Sequence, residues 1–277
     1  MNSVAAALRE ARSRGVDALD AQLMLARLLG SPRAWLIAND DAPLADALQS
    51  TFDGWLARRA AGEPLAYLFG EQEFRGLMLQ VDARVLVPRP DTETLVDWGI
   101  ELLHGIATPA VVDLGTGSGA IALAVKQAMP AAAVTAVDAS RDALDVARGN
   151  AERLGLAIDC VEGDWWAPLP GRRFHLALSN PPYIADTDPH LAALGHEPAG
   201  ALRSGADGLR DLRQIVARAT QHLLAGGYLL LEHGWQQADA VASLLTAHGF
   251  DAVQTRRDLA GQPRCTGGRQ LRKTSQG

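Results

Sequence analysis

The N-terminal part of the chain carries apolar side chains three and four positions apart, which is the spacing of amphipathic helices. Capping residues and glycine stop signals divide this pattern into four predicted helices. Their predicted starts are at Ser3, Asp17, Ser31 and Pro43, and their predicted stops are at Gly15, Gly30 and Gly62. Neither a strand pattern nor a catalytic motif occurs in this part. We therefore expect residues 1–72 to form a small all-helical domain.

Between residues 73 and 88 the pattern changes to the two-residue period of a β-strand. Leu77, Leu79 and Val81 are apolar and alternate with more polar or less buried positions. We expect a two-stranded hairpin here, with its turn at Asp82 and Ala83. This hairpin would link the helical domain to the rest of the chain.

The rest of the chain, 89–277, alternates short apolar runs with longer helical patterns. Strands are predicted at 110–114, 134–137, 158–161, 176–178 and 228–231. Helices are predicted at 92–104, 120–129, 141–154, 209–223 and 236–248. Such alternation is typical of a parallel sheet with helices on both faces. The predicted fold class is therefore α/β, with a doubly wound sheet.

Composition and charge argue against several classes of protein and of function. Of the 277 residues, 48% are hydrophobic and 21% are charged, which argues against a disordered, collagen-like or coiled-coil chain. The net charge of −6 is a poor match to a protein that binds the phosphates of a nucleic acid. We therefore expect no direct nucleic-acid substrate.

Cysteine usage and the apolar segments indicate a cytoplasmic protein. Cys160 and Cys265 are too few for a disulfide framework or a zinc site, and such thiols are typical of the reducing cytosol. The N-terminus lacks the apolar core of a secretory signal, and no segment has the ~20 apolar residues of a membrane helix. The histidines lack a recognisable ligand spacing, so we expect no metal site. Because a secretory signal and a membrane helix are both missing, we also expect no membrane contact.

A glycine-rich turn at 113–119 follows the first strand of the α/β domain and opens a helix. Open α/β sheets bind ligands at such strand ends, where glycine lets a ligand approach the main chain. Asp138 ends the next strand, 23 residues after Gly115, and can accept hydrogen bonds from both hydroxyls of a ribose. Two ligands compete. Gly115, Gly117 and Ala120 fit the loose dinucleotide pattern, whereas 113–119 resembles the S-adenosylmethionine turn of class I methyltransferases.

Two tryptophans, Trp165 and Trp166, follow the third strand at the same sheet edge. An indole at this position can stack on adenine, and a carboxylate such as Asp164 can meet the adenine amino group. Tryptophan also caps hydrophobic cores. A nucleotide contact and a core position therefore both stay open for Trp165.

The fourth strand ends in Ser179, Asn180, Pro181, Pro182 and Tyr183. This Asn-Pro-Pro-Tyr form is shared by methyltransferases that act on planar nitrogens, such as amides and exocyclic amines, and hydride-transfer enzymes have no need of it. The Asn180 side-chain oxygen and the Pro181 carbonyl can accept the two hydrogens of an amide nitrogen. Tyr183 can lie on the planar group and exclude water. Catalysis would then be mostly alignment, without a strong general base.

With these motifs in place, almost the whole chain resembles the protein-(glutamine-N5) methyltransferases that modify class I peptide-chain release factors. The matching segments are 63–67, 74–77, 87–93, 113–123, 136–138, 179–184, 197–198, 205–209 and 258–261. The block at 87–93 and the helical N-terminus are more specific than the glycine turn. The resemblance implies a class I, Rossmann-like, S-adenosylmethionine-dependent methyltransferase domain, with the N-terminal helices docking the release factor.

The resemblance also implies the site residues. Methyl-donor contacts are implied at Gly115, Thr116, Gly117, Ser118, Gly119, Asp138, Trp165 and Asn180, with S-adenosylhomocysteine as product. Substrate contacts are implied at Asn180, Pro181, Pro182 and Tyr183, of which Asn180, Pro181 and Tyr183 are the expected catalytic residues. The acceptor would be the glutamine of the release factor's Gly-Gly-Gln motif.

Three positions depart from the family pattern: Asp91, His233 and Cys265. We interpret His233 as a tolerated substitution at a strand end, and not as a general base. Arg89 could meet a carboxylate of donor or substrate, or brace the hinge between domains, and both interpretations stay open.

Two other functions compete with the glutamine methyltransferase. One is a methyltransferase of nucleic-acid amines, for which the arginines near the C-terminus could form a basic patch despite the acidic net charge. These arginines are Arg256, Arg257, Arg264, Arg269 and Arg272. They could equally form a solvated rim. The other function is a non-catalytic adaptor that binds a translation factor, against which the complete motifs at 113–119 and 179–183 argue.

Overall fold

In the computed structural model, which describes residues 3–271, the chain divides into two units. The first comprises the described residues up to Glu71 together with Ala193–His196, and the second comprises Gln72–Ala192 and the described chain from Glu197 onwards. No helix within residues 3–271 is long and apolar enough to cross a membrane.

The first unit is helical. Its helices are α1 (Val4–Ser13), α2 (Ala18–Leu29), α3 (Arg33–Ala38), α4 (Asp46–Ala60) and α5 (Leu65–Phe69). The predicted caps of the first two helices are confirmed. The Ser3 hydroxyl accepts from the Ala6 N–H at 3.3 Å, and the Asp17 carboxylate accepts from the Leu19 N–H at 2.8 Å. Phe52 and Leu56 of α4 are fully buried in the core of this unit.

Two predicted helix starts are wrong by a few residues. Ser31 does not cap α3, because its hydroxyl donates to the Leu29 carbonyl at 3.3 Å and Pro32 is the residue that precedes the helix. The Ser31 N–H donates to the Ala26 carbonyl and completes the C-terminal cap of α2 around the left-handed Gly30. Pro43 does not start α4, because it pairs in an isolated bridge with Ser3. The chain is extended at that point, and α4 begins only at Asp46.

The hairpin exists, but the predicted turn at Asp82 and Ala83 is wrong. Strands β1 (Glu71–Phe74) and β2 (Leu77–Gln80) are joined by Arg75 and Gly76. These two residues have φ of +49° and +78°, as in the two-residue turns that match the twist of a hairpin. Arginine rarely adopts positive φ, so the sequence gives little sign of this turn.

The second unit is built on a seven-stranded sheet of order β5-β4-β3-β6-β7-β9-β8. Its strands are β3 (Ala110–Leu114), β4 (Ala133–Asp138), β5 (Asp159–Glu162), β6 (Phe174–Ser179), β7 (Leu223–Glu232), β8 (Phe250–Arg257) and β9 (Pro263–Gln270). Its helices are α6 (Glu93–Leu103), α7 (Ala120–Ala128), α8 (Arg141–Leu154), α9 (Arg210–His222) and α10 (Ala238–Ala247). Strands β3 to β7 are parallel, as predicted.

The sheet is covered on both faces. Val111 belongs to a core cluster with α6 and α7, whereas its neighbour Val112 belongs to a second cluster with α9 and α10. Successive strand residues point to opposite faces, so each β3 residue packs on a different helical layer. The doubly wound α/β architecture is confirmed.

The antiparallel pair β8 and β9 is absent from the sequence prediction. Strand β9 pairs with β7 on one side and with β8 on the other, both antiparallel. Its Pro263, Gly267 and Gly268 are typical of a loop. Gly267 is needed, because a Cβ there would stand 2.8 Å from the Leu229 carbonyl oxygen and 3.0 Å from the Trp98 ring.

The arginines near the C-terminus do not form a free basic patch within the described chain. Arg256 pairs with Glu101 at 2.6 Å, Arg264 with Asp258 at 3.0 Å, and Arg269 with Asp251 at 2.9 Å. The Arg257 guanidinium donates to the Gly261 carbonyl. Arg272 lies outside the described residues. Most of this positive charge is therefore already balanced by carboxylates.

Candidate active site

A cavity of about 310 Å³ opens at the carboxyl ends of the parallel strands. The chain passes from β3 to β4 and β5 on one side and returns through β6 and β7 on the other, so β3 and β6 flank the point where the strand order reverses. Open α/β sheets bind ligands at this point. The cavity lining includes Gly115, Gly117, Asp138, Trp165, Asn180 and Pro182.

The glycine turn is held against the end of β4. The N–H groups of Gly115 and Thr116 both donate to the Val137 carbonyl, at 2.8 and 2.9 Å. Gly115 has φ of +76°, and a Cβ there would come within 3.2 Å of the Trp165 ring. Glycine is therefore required at this position by both conformation and space.

Three of the residues expected to contact the methyl donor do not line the cavity. They are Thr116, Ser118 and Gly119. The Thr116 hydroxyl donates to Asp113 at 2.6 Å, and the Ser118 carbonyl accepts from the buried Asn150. Gly119 lets helix α7 pack closely, since a Cβ there would stand 3.3 Å from the Ala147 side chain. These residues therefore support the turn and the packing of α7, and they do not form the cavity surface.

Asp113 is fully buried beneath the turn. Its Oδ2 accepts from the Thr116 hydroxyl and from the Ala122 N–H at 3.2 Å, while its Oδ1 has no hydrogen-bond partner among the described residues. Burial raises the pKa of this carboxyl to about 7, because removal from water disfavours the charged form. Asp113 connects β3, the turn and α7.

Asp138 occupies the end of β4 and uses both carboxylate oxygens. Oδ2 accepts from the Gly117 N–H and Oδ1 accepts from the Ser140 N–H, each at 2.9 Å. Ser140 then caps α8 through its hydroxyl, as predicted. Burial raises the pKa of the Asp138 carboxyl. Each oxygen keeps a further lone pair, so Asp138 can also accept from ribose hydroxyls.

The two tryptophans have different surroundings. Trp165 lines the cavity against Gly115, with an unusual φ of +46°. Trp166 is buried in the core, where its Nε1 donates to the Ile215 carbonyl at 2.8 Å and its ring stacks on His222. Trp165 therefore lines the cavity, whereas Trp166 is part of the hydrophobic core.

The loop after β6 is attached to its neighbours at each end. The Ser179 hydroxyl donates to the Leu114 carbonyl at 2.6 Å, and the Tyr183 carbonyl accepts from the Gln237 side-chain amide at 3.0 Å. Between them the Asn180 Nδ2 donates to the Thr92 hydroxyl at 3.2 Å. Gly208 packs so closely on the Tyr183 carbonyl that no Cβ would fit.

The four residues of the Asn-Pro-Pro-Tyr loop are not equally accessible. Asn180 and Pro182 line the cavity, Pro181 is buried, and Tyr183 is half-buried outside the lining. Burial raises the pKa of the Tyr183 phenol to about 12, so the phenol is neutral over the ordinary working range of pH.

Sequence reasoning from spacing missed the opposite wall of the cavity. This wall is formed by the segments containing Arg84, Val85, Leu86, Pro198, Gly200 and Ala201. The buried Glu197 joins the two segments, since it accepts from the Val87 N–H at 3.0 Å and pairs with Arg89. Arg89 and Glu197 are 108 residues apart, and only the family resemblance drew attention to 197–198. In this arrangement Arg89 braces the wall.

The three departures from the family pattern, Asp91, His233 and Cys265, are not among the residues that line the cavity. His233 bonds through Nδ1 to the Gly234 carbonyl at 2.9 Å and through Nε2 to Thr266 at 2.7 Å. It is fully buried, and burial lowers its pKa. Asp91 pairs with Arg264 at 3.2 Å, and burial raises the pKa of the Cys265 thiol. This geometry agrees with His233 as a packed residue at the strand end.

Comparison with known proteins identifies the family. The family model described as the PrmC N-terminal domain matches residues 1–70, and the one described as the methyltransferase small domain matches 93–205. The release factor glutamine methyltransferase of Bordetella pertussis is 49% identical over 257 residues, covering 92% of this chain and 95% of that protein. The protein of the same name from Burkholderia pseudomallei is 49% identical over 276 residues, covering 96% and 97%. The chain belongs to the release factor glutamine methyltransferases.

Solved structures show the same methyltransferase fold at low identity. The hMettl16 catalytic domain in complex with a hairpin of the MAT2A 3'UTR matches with a TM-score of 0.59 and 17% identity, covering 79% of this chain and 82% of that one. The T. thermophilus 16S rRNA N2 G1207 methyltransferase, solved with AdoMet and guanosine, matches with a TM-score of 0.55 and 18% identity, covering 72% and 49%. The family resemblance and the fold class predicted from the sequence are confirmed.

Proposed function

We propose that this glutamine methyltransferase transfers a methyl group from S-adenosylmethionine to the side-chain nitrogen, N5, of the glutamine in the Gly-Gly-Gln motif of class I peptide-chain release factors. One observation carries the proposal within the family. The Asn180 loop opens onto the same cavity as Gly117 and Asp138, so an amide acceptor and a nucleoside donor can meet there.

The cavity residues fit the methyl donor. Gly115 and Gly117 present backbone without side chains, Asp138 keeps free lone pairs for a ribose, and the Trp165 indole offers a face for adenine. The carboxylates of Asp138 and Asp164 give the lining a negative character that suits a cationic sulfonium. When bound, the sulfonium of S-adenosylmethionine supplies an electrophilic methyl group, and S-adenosylhomocysteine is the product.

The chain's own residues align the acceptor. An amide nitrogen is a weak nucleophile, because its lone pair is delocalised into the carbonyl. The Asn180 side-chain oxygen and the Pro181 carbonyl accept its two hydrogens and turn its face towards the methyl group. Both acceptors also stabilise the positive charge that develops on nitrogen. Tyr183 lies beside Pro182 but outside the cavity lining, and we propose that its ring covers the planar amide once the acceptor is bound.

No strong base is required in this mechanism. No histidine is present in the cavity lining of the described residues, and both ring nitrogens of His233 are already bonded elsewhere. The nitrogen loses its proton after the methyl group has made it acidic, so water can take that proton.

The helical unit, which we assign to residues 1–72, is proposed to dock the release factor, with 73–88 as the linker and 89–277 as the methyltransferase domain. Ile37 is 74% exposed and Leu19 is 45% exposed on this unit, so it presents apolar side chains to a partner. Because its acceptor is a translation factor, we infer that the protein works in the cytoplasm.

The test is direct. The protein is incubated with S-adenosylmethionine and a class I release factor, and methylation is mapped by mass spectrometry. One added methyl group on the Gly-Gly-Gln glutamine is expected, and none on a control release factor in which this glutamine is replaced by glutamate. Transfer to DNA or ribosomal RNA, with no methyl on the glutamine, would contradict the proposal and favour the nucleic-acid amine methyltransferase.

A further inference from the structure

Asp211, in the first turn of α9, is a buried carboxylate that lines the cavity. It is 6% exposed, whereas another acidic residue of the lining, Asp164, is exposed. Carboxylates are rarely buried unless their oxygens are hydrogen-bonded, because the charge loses its hydration. The partners of the two Asp211 oxygens therefore bear on its role.

One of these oxygens is occupied. Oδ2 accepts from the Ser204 hydroxyl at 2.7 Å and from the Arg210 guanidinium at 2.9 Å. Ser204 is fully buried, and its oxygen accepts in return from the Asp211 N–H at 2.9 Å, which fixes the carboxylate in place. Oδ1 accepts no hydrogen bond from any residue within 3–271. It is therefore the oxygen that Asp211 can offer to a ligand.

Helix α9 places Asp211 near the two tryptophans that follow β5. The Trp166 Nε1 donates to the Ile215 carbonyl at 2.8 Å, and Ile215 lies about one helical turn after Asp211. Trp166 thus packs on α9 close to the N-terminal end of this helix, and it directly follows Trp165 in the chain. Trp165 and Asp164 both line the cavity. Asp211 and these two residues therefore lie in the same part of the cavity.

This part of the cavity suits an adenine base. The Trp165 indole offers a flat face, and the Asp164 carboxylate can accept one hydrogen of the adenine amino group. The amino group has a second hydrogen, which needs its own acceptor where water is excluded. Oδ1 of Asp211 is an unused acceptor in the same part of the lining.

We infer that Asp211 is a donor-binding residue whose Oδ1 accepts a hydrogen bond from the adenine amino group of S-adenosylmethionine. Ser204 is the positioning residue, because its hydroxyl holds Oδ2 and leaves Oδ1 to the base. This role concerns the methyl donor alone, so it does not depend on which amide accepts the methyl group.

The test compares two ligands on the variant Asp211→Asn. S-adenosylhomocysteine has the amino group, whereas S-inosylhomocysteine has a carbonyl oxygen in its place. The side-chain oxygen of the variant is expected to stay with Ser204 and Arg210, which both donate, so its NH₂ group takes the place of Oδ1. The Kd for S-adenosylhomocysteine is expected to rise by at least about tenfold, as for loss of one hydrogen bond to a charged group. The Kd for S-inosylhomocysteine is expected to stay the same or fall, because the new NH₂ group donates to the carbonyl oxygen.

A third ligand distinguishes the adenine amino group from the ammonium group of the methionine part. 5′-Methylthioadenosine keeps the adenine and lacks the ammonium group. Asp211→Asn is expected to weaken its binding by the same factor as that of S-adenosylhomocysteine. Asp239→Asn is the matched control, because Asp239 is also in the first turn of a helix but is exposed and outside the cavity lining. It is expected to leave all three Kd values within about twofold.

The positioning role of Ser204 has its own variant. Ser204→Ala keeps the carboxylate but removes one of the two side chains that hold Oδ2. It is expected to lower the preference for S-adenosylhomocysteine over S-inosylhomocysteine by about threefold, less than Asp211→Asn does. A purely structural role for Ser204 would weaken both ligands equally and leave this preference unchanged.

Three results for Asp211→Asn would overturn the inference: an unchanged Kd for S-adenosylhomocysteine, equal weakening of the adenine and hypoxanthine ligands, or normal binding of 5′-methylthioadenosine. Should this variant fail to fold, the ligand preference of Ser204→Ala decides. The release factor takes no part in these titrations. A failure to methylate its glutamine would therefore count against the proposed function and leave this inference standing.

Discussion

The backbone N–H of Gly117 donates a 2.9 Å hydrogen bond to Oδ2 of Asp138. This bond joins the turn after β3 to the end of β4, across the edge where the cavity opens. Asp138 also accepts from the Ser140 N–H at the start of α8. One carboxylate thus shapes the glycine turn, starts a helix and lines the cavity.

Replacing Asp138 should weaken binding of the methyl donor. Asp138→Asn keeps one acceptor oxygen and is expected to raise the Kd for S-adenosylhomocysteine by about tenfold, while Asp138→Ala loses both and should raise it by about a hundredfold. Isothermal titration calorimetry measures both values. Asp145→Asn on the exposed side of α8 is the control and should bind normally. A Kd for Asp138→Ala within about twofold of wild type would contradict the assignment.

Replacing Asn180 should lower the turnover number much more than it weakens binding of the methyl donor. Asn180→Ala removes an acceptor that strengthens as charge develops, so kcat is expected to fall by at least about a hundredfold while the donor Kd changes by less than about fivefold. Tyr183→Phe keeps the ring, and its phenol is neutral at working pH, so it should keep most of the turnover. Lost donor binding with high residual turnover in Asn180→Ala would show that its role is wrongly assigned.

Gly115→Ala should damage the donor site, because it adds strain at φ of +76° and a Cβ within 3.2 Å of the Trp165 ring. We expect a lower unfolding temperature and a donor Kd raised by at least about tenfold. Gly149→Ala in α8 is the matched control, since nothing lies within 4 Å of the added Cβ. That control should gain about 0.5–1 kcal/mol through helix propensity. Equal behaviour of the two variants would contradict the prediction.

The Arg89–Glu197 pair should matter for the cavity wall. Arg89→Ala removes the ion-pair partner of the buried Glu197 carboxylate and leaves it only the Val87 N–H. We expect the free energy of unfolding to fall by roughly 1–3 kcal/mol, the cost of a buried group that loses a hydrogen-bond partner. The double variant Arg89→Leu with Glu197→Gln removes the uncompensated charge and should recover part of that loss. Chemical denaturation measures both. A double variant less stable than Arg89→Ala would refute this account of the pair.

The pH dependence of the free energy of unfolding should reveal the titration of the buried Glu232 carboxyl. Its folded pKa of about 7 lies above the ordinary value, so the folded state holds a proton that the unfolded state has released. The stability that this proton provides is lost as pH rises towards about 7. Relative to wild type, Glu232→Gln should therefore become more stable by at least about 1 kcal/mol between about pH 5 and pH 8. Denaturation curves at the two pH values measure the change.

Glu101→Gln provides the control for this titration. Arg256 holds the pKa of the exposed Glu101 below its ordinary value, so this carboxyl is ionised in both states above about pH 5. Its stability difference from wild type should stay constant over the same range. A constant difference for Glu232→Gln as well would show that Glu232 does not titrate there.

The elements that could be predicted from the sequence are those set by near neighbours in the chain. Helix α8 runs from Arg141 to Leu154 as predicted, because its Ser140 cap and its Gly155 stop act within a few residues. The strand ends that carry Asp138 and Asn180 were predicted for the same reason. Short apolar runs followed by turn residues are local signals.

Strand β9 and the hairpin turn could not be predicted in this way. Gly267 has a place in the sheet because of the space left by Leu229 and Trp98, which are distant in sequence. Arg75 adopts positive φ because the buried side chains on either side of it set the register of the hairpin. Neither cause produces a periodic pattern of apolar residues in the sequence.

Three parts of the site follow from local sequence: a glycine turn, an acidic strand end and an Asn-Pro-Pro-Tyr loop, together with a resemblance that identifies the family. Folding sets three further features: Trp165 and not Trp166 lines the cavity, Arg89 pairs with Glu197, and Asn180 donates to Thr92. The physical reason is distance along the chain. Motifs are local, whereas Asn180 and Thr92 are 88 residues apart and Arg89 and Glu197 are 108 residues apart, so only folding brings them together.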